Sequence, residues 1–366
     1  MAVQTIPFQS TPRVVPSSTN STQPTPLNAA ISQEFYEALA ISVVLGKNRH
    51  HPIVSANDDA RVSGRLLPEE QRNKNITRVF MRSLAYLCAC SFMRGSVTAI
   101  ALRSNSSSPR VTYVCATNDD RDGKINHRHL EEILSMIKSG GTSTKSQLES
   151  AIRGYLKKHY HFGTGTARFR KSLEILVQAS KSFPDLFDDF NIFRIDSSAS
   201  SVIPKAKNQK KPDKIVESMF DRGEFKHKYG QSMKLRRGTG TFAENWLYNK
   251  GWPLEAKVHA ELLIHDFFWK GKFKFFGDDP YIGCSKTACY CCYQYMKAHT
   301  GLKVILPSCS NDAYLAWRVP SITDFGNEDV ETLIQTQKST VEEMTKVKEH
   351  DIIQQLINGR SLPTTG

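Results

Sequence analysis

The chain has 366 residues, enough to bury a full core and, on length alone, to form about two domains. Apolar residues make up 39%, and the longest apolar run, residues 84–93, is half of the roughly 20 residues that a membrane-spanning helix needs. The formal charge of +13 is uneven: residues 1–204 carry +8, residues 205–237 carry +7 and residues 238–366 carry −2, so attraction for nucleic acid must come from outside the C-terminal third.

Residues 1–28 are rich in Ser, Thr and Pro and lack the charged and apolar regions of a secretory signal. A disordered tail is expected there, and a reducing intracellular setting, cytoplasmic or nuclear, for the whole chain. A helical N-terminal region follows over 29–95. Its first helix covers 28–46, with Gly46 at the C-terminal end. Its second covers 67–93, with Pro68 near the start and Glu69 and Glu70 in the first turn. The period then changes to two. The stretches 96–103 and 110–118 are β-branched and apolar around the turn residues "NSSSP", which predicts a β-hairpin over 96–118. Helices over 127–141, 144–159 and 167–183 make residues 119–240 a helical insertion, with a basic Ser/Lys/Pro linker at 197–214. The segment 241–320 reads as a helix at 256–269, a turn into a short strand at 278–285, a helix at 286–301 ended by Gly301, and a strand at 302–307. Residues 321–366 form a helical tail with apolar positions near helical spacing, suited to packing or to oligomerisation.

Four of the eight cysteines lie within residues 284–292. In a reducing compartment such a cluster points to metal binding or catalysis rather than to disulfides. Cys289 and Cys292 stand in a C-x-x-C at a helix start, where the spacing puts both sulfurs on one face and the helix N-terminus favours thiolate. Upstream, "VHAELLI" places His259 two residues before Glu261 at the start of another helix. One imidazole and two thiolates make three ligands for zinc and leave a fourth position for water, the arrangement of a catalytic site. Glu261 would then move protons. Two plainer readings compete. His-Ala-Glu alone is an ordinary helix start, and Cys284, Cys289, Cys292 and Cys309 could make a structural four-cysteine zinc site. Cys291 is expected to point away from its neighbours, and Cys284 to be a core thiol.

H-x-E followed by P-C-x-x-C is the zinc deaminase signature. On "VHAELLI" (258–264), "YIGCSKTACYCC" (281–292), "HTG" (299–301) and "AWRVP" (316–320), the sequence resembles the OTT-like deaminase family, a branch of the cytidine deaminase-like superfamily expanded in fungi. The resemblance covers roughly residues 240–320. It implies an α/β fold with a cytidine deaminase-like three-layer α/β/α core and a zinc-binding deaminase core at 241–320. It makes His259, Cys289 and Cys292 the Zn2+ ligands and Glu261 the catalytic acid/base. The implied activity is hydrolytic deamination of a cytosine or adenine base, in nucleic acid. A free nucleoside or nucleotide deaminase, or an inactive zinc-stabilised binding module, are the alternatives. The expected partner is a nucleic acid or nucleotide and not a membrane; substrate-binding residues and oligomeric state stay unassigned. Two departures stand out: Ala288 replaces the Pro before the first Cys, and some 140 residues separate the hairpin from the His-x-Glu.

Other features have plainer readings. "FFWKGKFKFFGDDPY" (267–281) interleaves Lys and Phe as a substrate loop would, but Phe side chains entering the core is the favoured reading. The basic run 205–211 reads as a solvated linker, and the pairs His127/His129 and His159/His161 as surface residues. Trp317 is expected in the core, and Cys88 and Cys90 as buried thiols.

Overall fold

Period-two segments build the centre of the molecule. In the computed structural model, which describes residues 29–44, 53, 68–89, 97–105, 108–118, 120–140, 144–159, 166–196, 201–202, 212–222, 255–320 and 330–357, the hairpin forms as expected. Strands β1 (Thr98–Asn105) and β2 (Ser108–Thr117) pair antiparallel, with Ile100 opposite Cys115. Successive side chains on a strand point to opposite faces. Ala99, Ala101, Val114 and Ala116 therefore enter one core, while Ile100, Leu102, Tyr113 and Cys115 enter a second one on the other face.

Helices cover both faces. On the second face lie α2 (Glu69–Cys88), α3 (Asp120–Ser139), α4 (Lys145–His159) and α5 (Ala167–Ser182). Residues 119–240 thus supply most of one layer of the molecule rather than an appendage. They also hold what helical periodicity does not announce: a short α6 (Asp185–Asp188) and a strand β3 (Phe190–Ile195) that runs parallel to β2, with Tyr113 opposite Ile192. Within the stretch expected to be a linker, β4 (Ser201–Val202) pairs with β5 (Glu255–Ala256), and α7 (Pro212–Arg222) begins. Residues 1–28 and 205–211 lie outside the described residues, as do Cys90 and His161.

The first face carries α1 (Ala29–Val44), α7, α8 (Ala260–Lys270), α9 (Tyr290–Ala298) and α10 (Val330–Ile357). Helix α10 packs against α1 and α9, and Val341, Met344, Ile352 and Ile353 are buried in the same core. The tail is a packing helix. Between α8 and α9, the strand β6 (Gly283–Cys284) joins the other edge of β1 antiparallel, so the sheet order is β3-β2-β1-β6. Small residues on β1 and β2 let α8 lie close to both strands. Among the described residues, no helix is long and apolar enough to cross a membrane.

Three expectations are corrected. Residues 302–307 form no regular element and join no ladder; Ile305 N donates to Pro280 O at 2.8 Å, a single bond where a strand needs a continuous partner. The helix expected from residue 256 begins at Ala260, because residues 255–256 are held in β5 and His259 is extended. His129 is not a surface residue: it is buried, and its Nδ1 lies 2.9 Å from Tyr155 Oη. Phe275, by contrast, follows the core reading of its segment, stacked on Phe268 with ring centroids 3.9 Å apart.

Candidate metal centre and its surroundings

Two helix N-termini meet at one point. His259 is the N-cap of α8, with φ −78° and ψ 153°, and Cys289 is the N-cap of α9, with φ −75° and ψ 165°. An N-cap residue is extended and throws its side chain over the helix end. Glu261 and Cys292 follow inside the first turns of the same helices. The register of β6 on β1 brings the ends together. His259 Nδ1 lies 3.4 Å from Cys289 Sγ and 3.3 Å from Cys292 Sγ. Donor atoms of His259, Glu261, Cys289 and Cys292 all fall within 4.8 Å of one another, and no other such group occurs among the described residues. Zinc with bonds of about 2.0–2.3 Å holds tetrahedral donors about 3.3–3.8 Å apart. The two nitrogen–sulfur separations match that edge, so an imidazole and two thiolates here fit zinc in both softness and spacing.

Each helix end is satisfied differently. At α9 the Cys289 sulfur itself accepts from the Cys292 amide at 3.4 Å. At α8 the imidazole makes no capping bond; instead Asn118, at the end of β2, accepts from the Ala260 amide through Oδ1 at 2.6 Å. The ring of His259 is left to face the sulfurs. Lys257 is paired to the segment 316–318 by Lys257 N to Ala316 O at 3.0 Å and Arg318 N to Lys257 O at 3.1 Å. That pairing sets Trp317 beside the cluster. Its indole Nε1 donates to Cys292 Sγ at 3.2 Å, and Trp317 is fully buried. A core position was expected for this tryptophan, but its bond to a sulfur was not, nor was the role of Asn118. No local pattern marks either one.

The electrostatics follow from burial. Glu261 is buried, and its Oε2 has no hydrogen-bond partner. Burial is the main cause that raises its pKa above the usual carboxylate range. Burial opposes charge on His259 and on Cys289, yet it is outweighed: hydrogen bonds from Cys291 and Cys292, and then the charge of His259, hold the Cys289 thiol well below its usual range, and Cys289, then Glu261, hold His259 up to about 9. Cys291 lies outside the group of four. It does not point away from them as expected: burial first, and then a hydrogen bond with Cys289, push its thiol up, against the charge of Lys348 on α10. Cys284 is a core thiol, and Cys309 shares its sulfur with Asn311, so the four-cysteine alternative is not assembled. On the open side, Tyr314 is 49% exposed and meets the His259 ring edge-on, with centroids 6.1 Å apart.

Residues 258–321 match the family model of the OTT_1508-like deaminases. The chain carries an OTT-like deaminase domain. The match spans all four clustered residues, together with 299–301 and 316–320. No curated protein and no solved structure matches the chain. The deaminase domain explains its own departure at Ala288. The Ala288 amide donates to Ser308 O at 2.9 Å, and proline has no amide hydrogen to give. The "HTG" stretch of the domain is a clasp anchored by the buried His299. His265 Nε2 lies 3.1 Å from Leu302 O, Leu302 N donates to His299 Nδ1 at 3.1 Å, and Trp269 packs where Gly301 would carry a Cβ.

Proposed function

We propose that this chain is a zinc-dependent hydrolytic deaminase of a nucleobase, built on a cytidine deaminase-like core. The observation that carries the reading is the buried convergence of His259, Cys289 and Cys292 around one point, with the unpartnered carboxylate oxygen of Glu261 beside it, inside a deaminase domain. His259, Cys289 and Cys292 hold the ion. A purely structural site has no use for a buried carboxylate with one oxygen left unbonded, because leaving it so is costly. Zinc, when bound, supplies a Lewis acid that brings the pKa of water from about 16 to about 7. Glu261 takes the proton of the attacking water, gives it to the ring nitrogen, and then serves the leaving amine, so that ammonia departs from C4 of cytosine or C6 of adenine. Trp317 and Asn118 hold the cluster in place, the first by its bond to Cys292, the second by fixing the start of α8. Tyr314 offers an aromatic edge at the mouth. The seven cysteines among the described residues are buried and form no disulfide with one another, which suits a reducing cytoplasmic or nuclear setting.

The test is ammonia release from cytosine- and adenine-containing substrates, with metal content measured in parallel. Glu261→Gln should keep its zinc and lose turnover by at least about a hundredfold. Cys289→Ala should lose the metal. Undiminished turnover in the first variant, or full zinc occupancy in the second, would overturn the reading.

A further inference from the structure

The loop from β6 to α9, Ser285-Lys286-Thr287-Ala288, leads directly into Cys289. Its outer edge is open: Lys286 and Thr287 are exposed. Against this edge stands Arg168 from the first turn of α5, also exposed. Two contacts hold its guanidinium there. Arg168 Nη2 donates to Ser285 O at 2.5 Å, and the guanidinium carbon sits 4.1 Å from the centre of the Tyr86 ring. Stacking and a single carbonyl bond fix the plane but use few of its five N–H donors.

The charges around this point have one sign. Partial burial first, and then the charge of Arg168, press the Lys286 ammonium below its usual range; partial burial first does the same to Arg168, opposed by Tyr86 and helped by Arg82 of α2. Among the described residues, no carboxylate pairs with Arg168 or Lys286. Cations held together without a counter-charge repel, and a bound anion relieves them. A guanidinium with an ammonium beside it is suited to phosphate, the first as a planar fork and the second as a point charge. Lys286 is also close to the chemistry. Two residues lie between it and Cys289, so the two are three steps apart, at most about 11 Å of chain. That is within the reach of one nucleotide from its base to a phosphate.

We propose that Arg168 and Lys286 form a phosphate subsite beside the metal cluster, so that the substrate is a base carrying phosphate rather than a free nucleoside. The inference rests on the deaminase reading of the cluster and adds its substrate class. It also gives residues 119–240 a part in recognition. The segment 238–366 is net acidic, and the helical segment reaches across to lend it a cation.

The experiment uses the full zinc-loaded chain with Glu261→Gln, so that binding is read without turnover. The probes are cytidine and adenosine, their 5′-monophosphates, inorganic pyrophosphate, and a short fluorescein-labelled single-stranded DNA, at low and at physiological salt. Arg168→Ala and Lys286→Ala should each weaken the monophosphates or the DNA by about tenfold and leave the nucleosides unchanged. The salt slope for the DNA should fall by about one per cation removed. Arg168→Lys should lose less than Arg168→Ala. Dependence seen with the monophosphates assigns the subsite to the substrate's own phosphate; dependence seen only with DNA assigns it to a neighbouring nucleotide. Equal weakening of nucleosides and nucleotides, or no weakening at all, in variants that keep zinc and melting temperature, would overturn the proposal. The two readings separate cleanly. Phosphate-dependent binding without ammonia release from any base in the unsubstituted chain would remove the deaminase and leave the subsite. Ammonia release from subsaturating nucleotide that ignores both substitutions would remove the subsite and leave the deaminase.

Discussion

Asn118 shows how a single side chain places a candidate metal ligand. An N-cap normally satisfies its own helix, but His259 must keep its ring free for the sulfurs, so the cap is supplied from the end of β2. Asn118→Ala should lower stability by about 1 kcal/mol, the usual loss for a missing cap. It should also weaken zinc, because the start of α8 loses its anchor. Competition with a chelator, read beside urea unfolding, checks both; unchanged zinc affinity would mean that the cap is only structural. Ala288 makes a similar point. Its amide is committed to Ser308 O, and a proline at this position would give that bond up. Lys348 is a third case. Its ammonium is buried without a hydrogen-bond partner, 3.6 Å from the centre of the Tyr290 ring, and Tyr290 directly follows Cys289. An aromatic face is the partner that α9 offers this cation.

Among the elements, the two-residue strand β6 carries more than its length suggests. It fixes the approach to Cys289 by pairing Ala99 with Cys284 and Ile100 with Gly283. It can do so only because α2 passes very close. A Cβ on Gly283 would stand 2.8 Å from the Arg82 nitrogen and the Met81 carbonyl carbon, both backbone atoms that cannot turn aside. Gly283→Ala should therefore cost about 1–3 kcal/mol through overpacking, and should move the loop that bears Lys286 and Cys289. Urea unfolding gives the first number and zinc retention the second. A neutral substitution would show that α2 shifts freely. Arg78 of α2 reinforces the same contact, with three buried hydrogen bonds to Asp279 just upstream, the closest 2.6 Å long. Helix α2 thus clamps the approach to the site from the far side of the sheet. The short stretch at 302–307 lacks such a partner, which is why its strand-like composition yields no strand.

For the whole molecule, the buried histidines set a dependence on acid. Burial pushes His265 down to about 4; burial, then His265 and Lys303, push His299 down to about 3. Unfolded, both rings titrate near 6.5. The unfolded chain therefore binds more protons below that value. The stability these neutral rings contribute is fully present above pH 6.5 and is lost as pH falls through the window from 6.5 to about 4 for His265 and about 3 for His299. The expected slope within the window is about 1.4 kcal/mol per pH unit for each ring. Urea unfolding of the metal-free chain from neutral pH downward, compared with His265→Gln, tests this. An identical slope in both would mean that His265 is already protonated in the fold. Much of the candidate site was legible beforehand. The hairpin, most of the helices, and the types and spacings of His259, Glu261, Cys289 and Cys292 follow from local period, turn chemistry and donor chemistry, which neighbouring residues encode together. The strand β3 was missed because "FNIFRI" is too short to show a period beside the helices before it. The sequence by itself determined that an imidazole, a carboxylate and two thiols stand at two helix starts. Only the tertiary structure decided that these starts meet, that Asn118 caps one from 142 residues away, that Trp317 holds a sulfur, and that Arg168 stands by Lys286. The reason is that each of these contacts depends on strand register and helix packing across the sheet, which no stretch of adjacent residues records.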